Sequence, residues 1–370
     1  MKYTLLITQQ CNLSCKYCYI SKKPATMSLS IAKRIVDFIF NRTPLKEKIN
    51  IGFFGGEPLL ELERIQTITN LIKSHPSFDS NRVEISIVTN GTIFSDKIAD
   101  FINKHDIGFV ISCDGPQFVH DLFRCYSNGR GTSDIVEKNI LKAVDSFSLV
   151  PVNAVYHPQT LQHLPETVEY LSSLGVRQIY LNPDFSAYWR KEEIDRLPDI
   201  YGKVAEQYIS FYLQETPHYI SLFDSKIAVI LRGGYDEFER CRMGKGEFAF
   251  TPDGRIYPCE RLVGIHENKH LIGNINDGID DELLSCHIKS GNSINTECMS
   301  CGLKDFCMHW CGCSNYFSTG YYNRVSPFLC ASEKTALQIS FNIFKILEEK
   351  IGSTFFEHLG GFPIMNSNIT

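Results

Sequence analysis

A chain of 370 residues, 43% hydrophobic and 21% charged, is long enough for one large domain and a smaller one with full cores. Its net charge of −5 offers no basic field, which argues against nucleic-acid binding. No apolar run reaches membrane-spanning length and the opening MKYTLLITQQC lacks a signal-peptide core, so a cytoplasmic protein with no membrane partner is expected.

In chain order, YTLLIT, INIGFF, VEISIVT, IGFVIS, VPVNAVY and RQIYLN read as buried parallel strands. Between them, LSIAKRIVDFIF, LLELERIQTITNLIK, SDKIADFINKH, SDIVEKNILKAV and TVEYLSSLG have helical spacing. Repeated β–α alternation favours a parallel barrel or a doubly wound sheet. From about Ser221 the alternation stops, and a Gly- and Cys-rich region of short turns runs to about Cys330. TALQISFNIFKILEEKIG then closes the chain as an amphipathic helix. This predicts a barrel domain over 1–220, a bridging segment over 221–240, a cysteine-rich domain over 241–335, and a helix and tail over 336–370.

The loops at the carboxyl ends of the strands carry more functional signal than the strands themselves. CNLSCKYCY succeeds the first strand, GGEP (Gly55–Pro58) the second, TNGT (Thr89–Thr92) the third and CDGP (Cys113–Pro116) the fourth. His157-Pro158 comes after the fifth and Asn182-Pro183-Asp184 after the sixth. In a parallel α/β fold the carboxyl ends of the strands open onto one face, where sites form. Any single βα loop uses Gly, Pro and Asn for its turn. Six in order, headed by a three-cysteine loop, point to a site.

The 14 cysteines are unlike a disulfide set in a reducing compartment and fit metal ligation or catalysis better. Three lie at Cys11, Cys15 and Cys18, nine between Cys241 and Cys330, and only Cys113 and Cys125 fall between. Structural zinc and electron-carrying iron–sulfur clusters normally take four protein ligands, so three cysteines leave one position open. Cysteines at i, i+4 and i+7 can converge on one cluster from a single loop. A ligand with an amine and a carboxylate could chelate the remaining iron. GGEP suits it: Gly55 and Gly56 permit close backbone approach, and the Glu57 carboxylate can accept from an ammonium.

These residues resemble the radical S-adenosyl-L-methionine (SAM) enzymes: CxxxCxxC with Tyr17 and Tyr19 flanking Cys18, then GGEP including Pro58. The resemblance implies a partial (β/α)6 TIM-like barrel whose open iron takes the amino and carboxylate groups of SAM. Reductive cleavage of SAM to a 5′-deoxyadenosyl radical would follow. By similarity Glu57 binds the SAM ammonium, Ser112 and Arg124 hold its ribose or carboxylate end, and Asn90 and Asn182 lie near ribose and adenine. Local loop hydrogen bonding is the competing reading for these last four.

The later cysteines, Cys241, Cys259, Cys298, Cys301, Cys307, Cys311 and Cys330, match the spacing of the SPASM extension of radical SAM enzymes. Read alone, CxxC with later cysteines also suits a zinc ribbon. The resemblance implies two auxiliary [4Fe–4S] clusters, three in all. Cys298, Cys301, Cys307 and Cys330 would hold one. Cys241, Cys259 and Cys311 would hold the other, with Cys313 or Cys286 as fourth ligand, or with an open site. Simple burial is expected of Cys286, Cys113 and Cys125. Glu260, directly after Cys259, matches an acidic residue that serves as base in anaerobic sulfatase-maturating relatives. It is a candidate general base, with a surface or second-layer carboxylate as the other reading.

SPASM relatives mostly oxidise side chains of peptides or proteins, which makes crosslink-type maturation the leading expectation. Formylglycine formation is an alternative, although FGGEP departs from the QGGEP of those maturases. A small-molecule radical oxidoreductase is another, and a non-catalytic iron–sulfur carrier or zinc module a third. Cys11 lies close to the first residue, so no leader-binding winged helix is expected before it. The expected partners are a protein substrate, or a peptide held by a separate leader-binding protein, and an electron donor such as flavodoxin or ferredoxin.

Overall fold

The structure, a computed structural model, describes residues 1–236, 240–264, 269–292 and 295–361. Part of the expected bridging segment, 237–239, and the tail beyond 361 lie outside the described residues. The strands among the described residues are β1 (Lys2–Thr8), β2 (Ile49–Gly55), β3 (Val83–Thr89), β4 (Ile107–Ser112), β5 (Pro151–Tyr156) and β6 (Gln178–Pro183). They continue with β7 (Tyr219–Ile220), β8 (Glu247–Phe250), β9 (Arg255–Tyr257), β10 (Gly273–Asn274) and β11 (Gly278–Ile279). The chain forms an α/β fold that divides into two compact units.

The first unit comprises Met1–Ser112, Asp121–Phe147 and Arg242–Ser290. Strands β1 to β4 pair in parallel in chain order. Thr4, Leu5 and Leu6 in β1 are all nearly or fully buried, the mark of a strand covered on both faces. Helix Leu29–Arg42 shows why the elements form where they do. Ser28 caps it by accepting from the Ile31 N–H, and Ala32, Ile35, Val36, Ile39 and Phe40 recur on one buried face. Each large side chain so covered contributes about 1.5–3 kcal/mol. Beyond its end, Arg82 donates to the carbonyls of Thr43, Pro44 and Glu47, satisfying acceptors at the helix C-cap and in the turn after it. Helix Asp96–His105 is capped by Ser95 and stops at Asp106, which takes a left-handed conformation at φ 50°.

One expectation is corrected here, by a helix of the second unit and a strand of the first. The alternation does not stop at Ser221, because Ser221–Arg232 is a helix and β8 pairs in parallel with β1, Lys2 opposite Glu247. The reason is compositional. EFAF is four residues flanked by glycines and charges, too short for a periodic signal, yet all four are buried in the pairing. Strand β9 then turns antiparallel onto β8, succeeded by β10 and β11.

The second unit comprises Cys113–His120, Ser148–Cys241 and the chain from Gly291 onward. Strands β5, β6 and β7 are parallel. Helices Leu164–Ser173, Leu197–Leu213 and Ser221–Arg232 belong to it, with the long helix Pro327–Ile351 packed on the latter two.

Candidate active site

The three-cysteine loop leaves the carboxyl end of β1 and is fastened on two sides within the first unit. On one side, Ser14 N donates to Cys125 O at 2.6 Å and Lys16 N to Phe123 O at 3.0 Å. That segment, which composition alone did not single out, accounts for the burial of Cys125. On the other side, Gly56 N donates to Thr8 O at 2.8 Å and Glu57 N to Gln10 O at 2.9 Å. A Cβ on Gly55 would lie 2.2 Å from Thr8 O, and one on Gly56 would lie 2.0 Å from Gln10 O. The glycines thus permit the close approach of the chain's own Thr8–Gln10 backbone. Pro58 opens a short 3-10 turn, Pro58–Glu61, with Glu57 as its cap.

Glu57 differs from expectation. It is 0% exposed, and its oxygens are taken by Leu59 N (3.0 Å), Thr89 Oγ1 (2.8 Å) and Asn90 N (2.7 Å). The carboxylate ties the loop after β2 to the loop after β3 and does not face outward to an ammonium. Burial pushes its pKa up to about 7 against the three donors. The fold thus favours the protonated acid. That contribution to stability is complete below the unfolded value of 4.5 and is lost as pH rises through about 7. Glu57→Gln stays uncharged throughout. It should gain on the parent by about 3 kcal/mol as pH rises from mildly acidic to mildly alkaline. Thermal unfolding of both apoproteins across that range checks this, and a constant difference would contradict it.

The loop after β3 is thereby held against the cysteines. Asn90 Nδ2 donates to Asn12 Oδ1 at 2.8 Å and lies 3.8 Å from Cys11 Sγ. Asn12 in turn donates to Thr92 Oγ1 at 2.8 Å. Asn12 was not anticipated, although it is the one amide inside CNLSCKYC. Arg124 is also brought to the loop, its guanidinium 5.4 Å from the centre of the Tyr17 ring. Ser112 is half-buried at the end of β4. Asn182 is the next-to-last residue of β6 in the second unit, 7% exposed. Cys11 and Cys15 are half-buried and Cys18 is exposed, with burial raising the Cys11 thiol.

Glu260 begins a 3-10 turn immediately after Cys259. Its Oε1 is 3.2 Å from Lys2 Nζ and its Oε2 accepts from Thr4 Oγ1 at 2.7 Å. Lys2 also lies 3.4 Å from Glu247. Glu260 is thus a charged, mostly buried group on the Lys2–Thr4 face of β1. Tyr19, next to Cys18, is close enough that Glu260 raises its phenol pKa further after burial has done so.

In the second unit Cys298, Cys301, Cys307 and Cys330 line one cavity, with Lys304, His309 and Lys334 at its wall. Cys311 Sγ lies 3.6 Å from Cys313 Sγ and 3.2 Å from Ser314 Oγ. Hydrogen bonds from Cys241 first, then Cys313, hold its thiol well below the ordinary range. Cys313 is buried beside this group, whereas Cys286 is exposed on helix Asp281–Asn292 in the first unit, so the expectation of burial for Cys286 is corrected. Cys113 and Cys125 are buried as expected, and Cys259 is buried in the first unit. Among the described residues no three His, Cys, Asp or Glu side chains gather around a single-ion position.

The chain is similar to several known proteins. The profile of the Radical SAM superfamily matches residues 5–171. An uncharacterized protein of Methanocaldococcus jannaschii is 31% identical over 286 residues, 75% of this chain and 90% of that one. The radical SAM cyclopropyl synthase TigE of Paramaledivibacter caminithermalis is 24% identical over 83% of this chain and 66% of its own. A cysteine-type anaerobic sulfatase-maturating enzyme of Clostridium novyi is 24% identical over 82% of this chain and 85% of its own. Among solved structures, native anSMEcpe with bound AdoMet and Cp18Cys peptide superposes with a TM-score of 0.78 at 21% identity, over 94% of this chain and 99% of that one.

Proposed function

This chain belongs to the radical SAM superfamily, and on that premise we propose that it oxidatively modifies a side chain of a peptide or protein, in the manner of a crosslink-forming maturase. It is an enzyme of radical SAM chemistry that uses SAM and an iron–sulfur cluster. When bound, such a cluster would supply the electron for reductive cleavage of SAM and the radical chemistry that follows. Cys11, Cys15 and Cys18 would hold it, on a loop whose backbone is fixed by Gly55, Gly56 and Phe123–Cys125. Asn90 and Arg124 stand beside that loop, and Ser112 and Asn182 complete the proposed SAM contacts. The ammonium is not given to the Glu57 carboxylate, whose place is structural.

The observation that carries an oxidative reading is the second set of cysteines. Four line one cavity, and Cys241, Cys311 and Cys313 form another group. We assign the first four to one auxiliary cluster, and Cys241, Cys259, Cys311 and Cys313 to another, for three in all. Cys313 is preferred to Cys286 because it lies beside Cys311. Removing two hydrogens from a side chain leaves a proton and an electron to place. Glu260 takes the proton, and the auxiliary sites give the electron a destination. In this reading the strands form a partial (β/α)6 barrel that leads into a SPASM domain. The donor is a flavodoxin or ferredoxin, and a separate protein holds any leader peptide. No helix among the described residues is long and apolar enough to cross a membrane.

A second reading, formylglycine formation, is favoured by the sulfatase-maturase relatives and by Glu260 behind Cys259. One experiment separates the two. The protein is co-expressed anaerobically with proteins and short reading frames encoded beside its gene, and intact masses are taken. Loss of two hydrogens that depends on Cys15, with a new link found on fragmentation, supports the crosslink. Loss of two hydrogens together with exchange of a cysteine sulfur for oxygen, or loss of two hydrogens from a serine with no new link, in a sulfatase supports formylglycine. Deoxyadenosine formed with no change in any polypeptide would reject both and point to a small-molecule substrate.

A further inference from the structure

Lys226 and Glu333 form an ion pair where stability alone gives little reason for one. Their charged atoms are 2.7 Å apart, and the residues are 3% and 6% exposed. Burying two charges costs about what their attraction returns, so such a pair is weak evidence of a stabilising role. Its surroundings set this pair apart. Glu333 is three residues beyond Cys330 on helix Pro327–Ile351 and so shares its face. Glu333 Oε2 accepts from Lys226 and also from the Met308 N–H, 2.6 Å away, the amide directly after Cys307. One carboxylate oxygen thus joins the Cys307 segment to the helix carrying Cys330. Lys226 comes from helix Ser221–Arg232, its ammonium 3.5 Å from the Tyr235 hydroxyl. The two charges act on Cys307 in opposite senses: after burial, Glu333 raises its thiol pKa and Lys226 lowers it.

We propose that Lys226 and Glu333 are positioning residues that set the reduction potential of the cluster held by Cys298, Cys301, Cys307 and Cys330, an inference that rests on reading their cavity as a cluster site. Cluster potentials respond to nearby charge and to hydrogen bonds at the sulfurs. Glu333 brings negative charge to Cys307, which favours the oxidised cluster. Lys226 opposes this, and so deep in the protein neither charge is screened by salt.

The test is an EPR-monitored redox titration of the anaerobically reconstituted full chain, tracking the signal that Cys307→Ala removes. Glu333→Gln leaves Lys226 uncompensated and raises the potential. Lys226→Met leaves Glu333 uncompensated and lowers it. Each shift is about tenfold in the oxidised-to-reduced ratio, or about 59 mV for a one-electron couple. The double variant returns close to the parent. Glu333→Gln keeps the side chain's shape and its acceptor for Met308, so it decides the matter alone if Lys226→Met does not fold. A merely structural pair gives no reason for opposite signs. Unshifted potentials, or shifts of one sign in both single variants, overturn the inference while leaving the cluster reading intact. A Cys307→Ala variant with the parent's iron content and spectrum removes the reading and the inference together.

Discussion

Cys15→Ala abolishes SAM-dependent 5′-deoxyadenosine formation while the iron of the second unit stays bound. The expected loss is complete, because in the proposed reading each of the loop's three thiolates holds one iron of the cluster. Cys15 has no substitute nearby: the neighbouring segment contributes Cys125, which is buried and shares its backbone carbonyl with the loop. The fold should survive. The loop's anchors are main-chain bonds at Ser14, Lys16, Gly56 and Glu57, none of which needs the Cys15 side chain. The cavity of Cys298, Cys301, Cys307 and Cys330 is built from elements of the second unit. Its occupancy should not depend on that of the loop. Iron analysis and EPR beside a deoxyadenosine assay check this. Loss of all iron from one substitution would show that the sites are not independent, and residual SAM cleavage would mean that Cys15 is not a ligand.

The six parallel strands were legible because buried strands are continuous apolar runs. VEISIVT and IGFVIS fall on β3 and β4 to the residue. The cysteine groups were legible because their spacing is local. Occupancy at long range could not be read. The sequence of GGEP calls for a close approach and an acceptor. It cannot say that the approaching backbone is Thr8–Gln10, or that Thr89 and Asn90 donate to Glu57, since those partners arrive through pairing of β1, β2 and β3. Strand β8 escaped for a similar reason. Four buried residues carry no period, and their identity as a strand comes from β1, more than 240 residues earlier in the chain. Arg124 was suggested by resemblance alone, and its position over Tyr17 places it beside the cysteine loop.

Glu260→Gln should spare SAM cleavage and suppress modified product by about 10²–10⁴-fold, the usual span for a positioned base. Glutamine preserves the size of the side chain and an oxygen for the Thr4 hydroxyl, now 2.7 Å from the carboxylate. Lys2 loses one partner but keeps Glu247 at 3.4 Å, so no buried ammonium is stranded. The change is therefore nearly silent for folding and removes mainly the capacity to take a proton. Lys2→Met is the control. It breaks the same ion pair, yet leaves the carboxylate on Thr4, so product should persist. Failure of both variants would assign the effect to the ion pair as a structural tie. Normal product from Glu260→Gln would remove Glu260 from the chemistry and leave the proton to another group. Only loss in the first variant with retention in the second is consistent with a base, because only that pattern separates the carboxylate from its salt bridge.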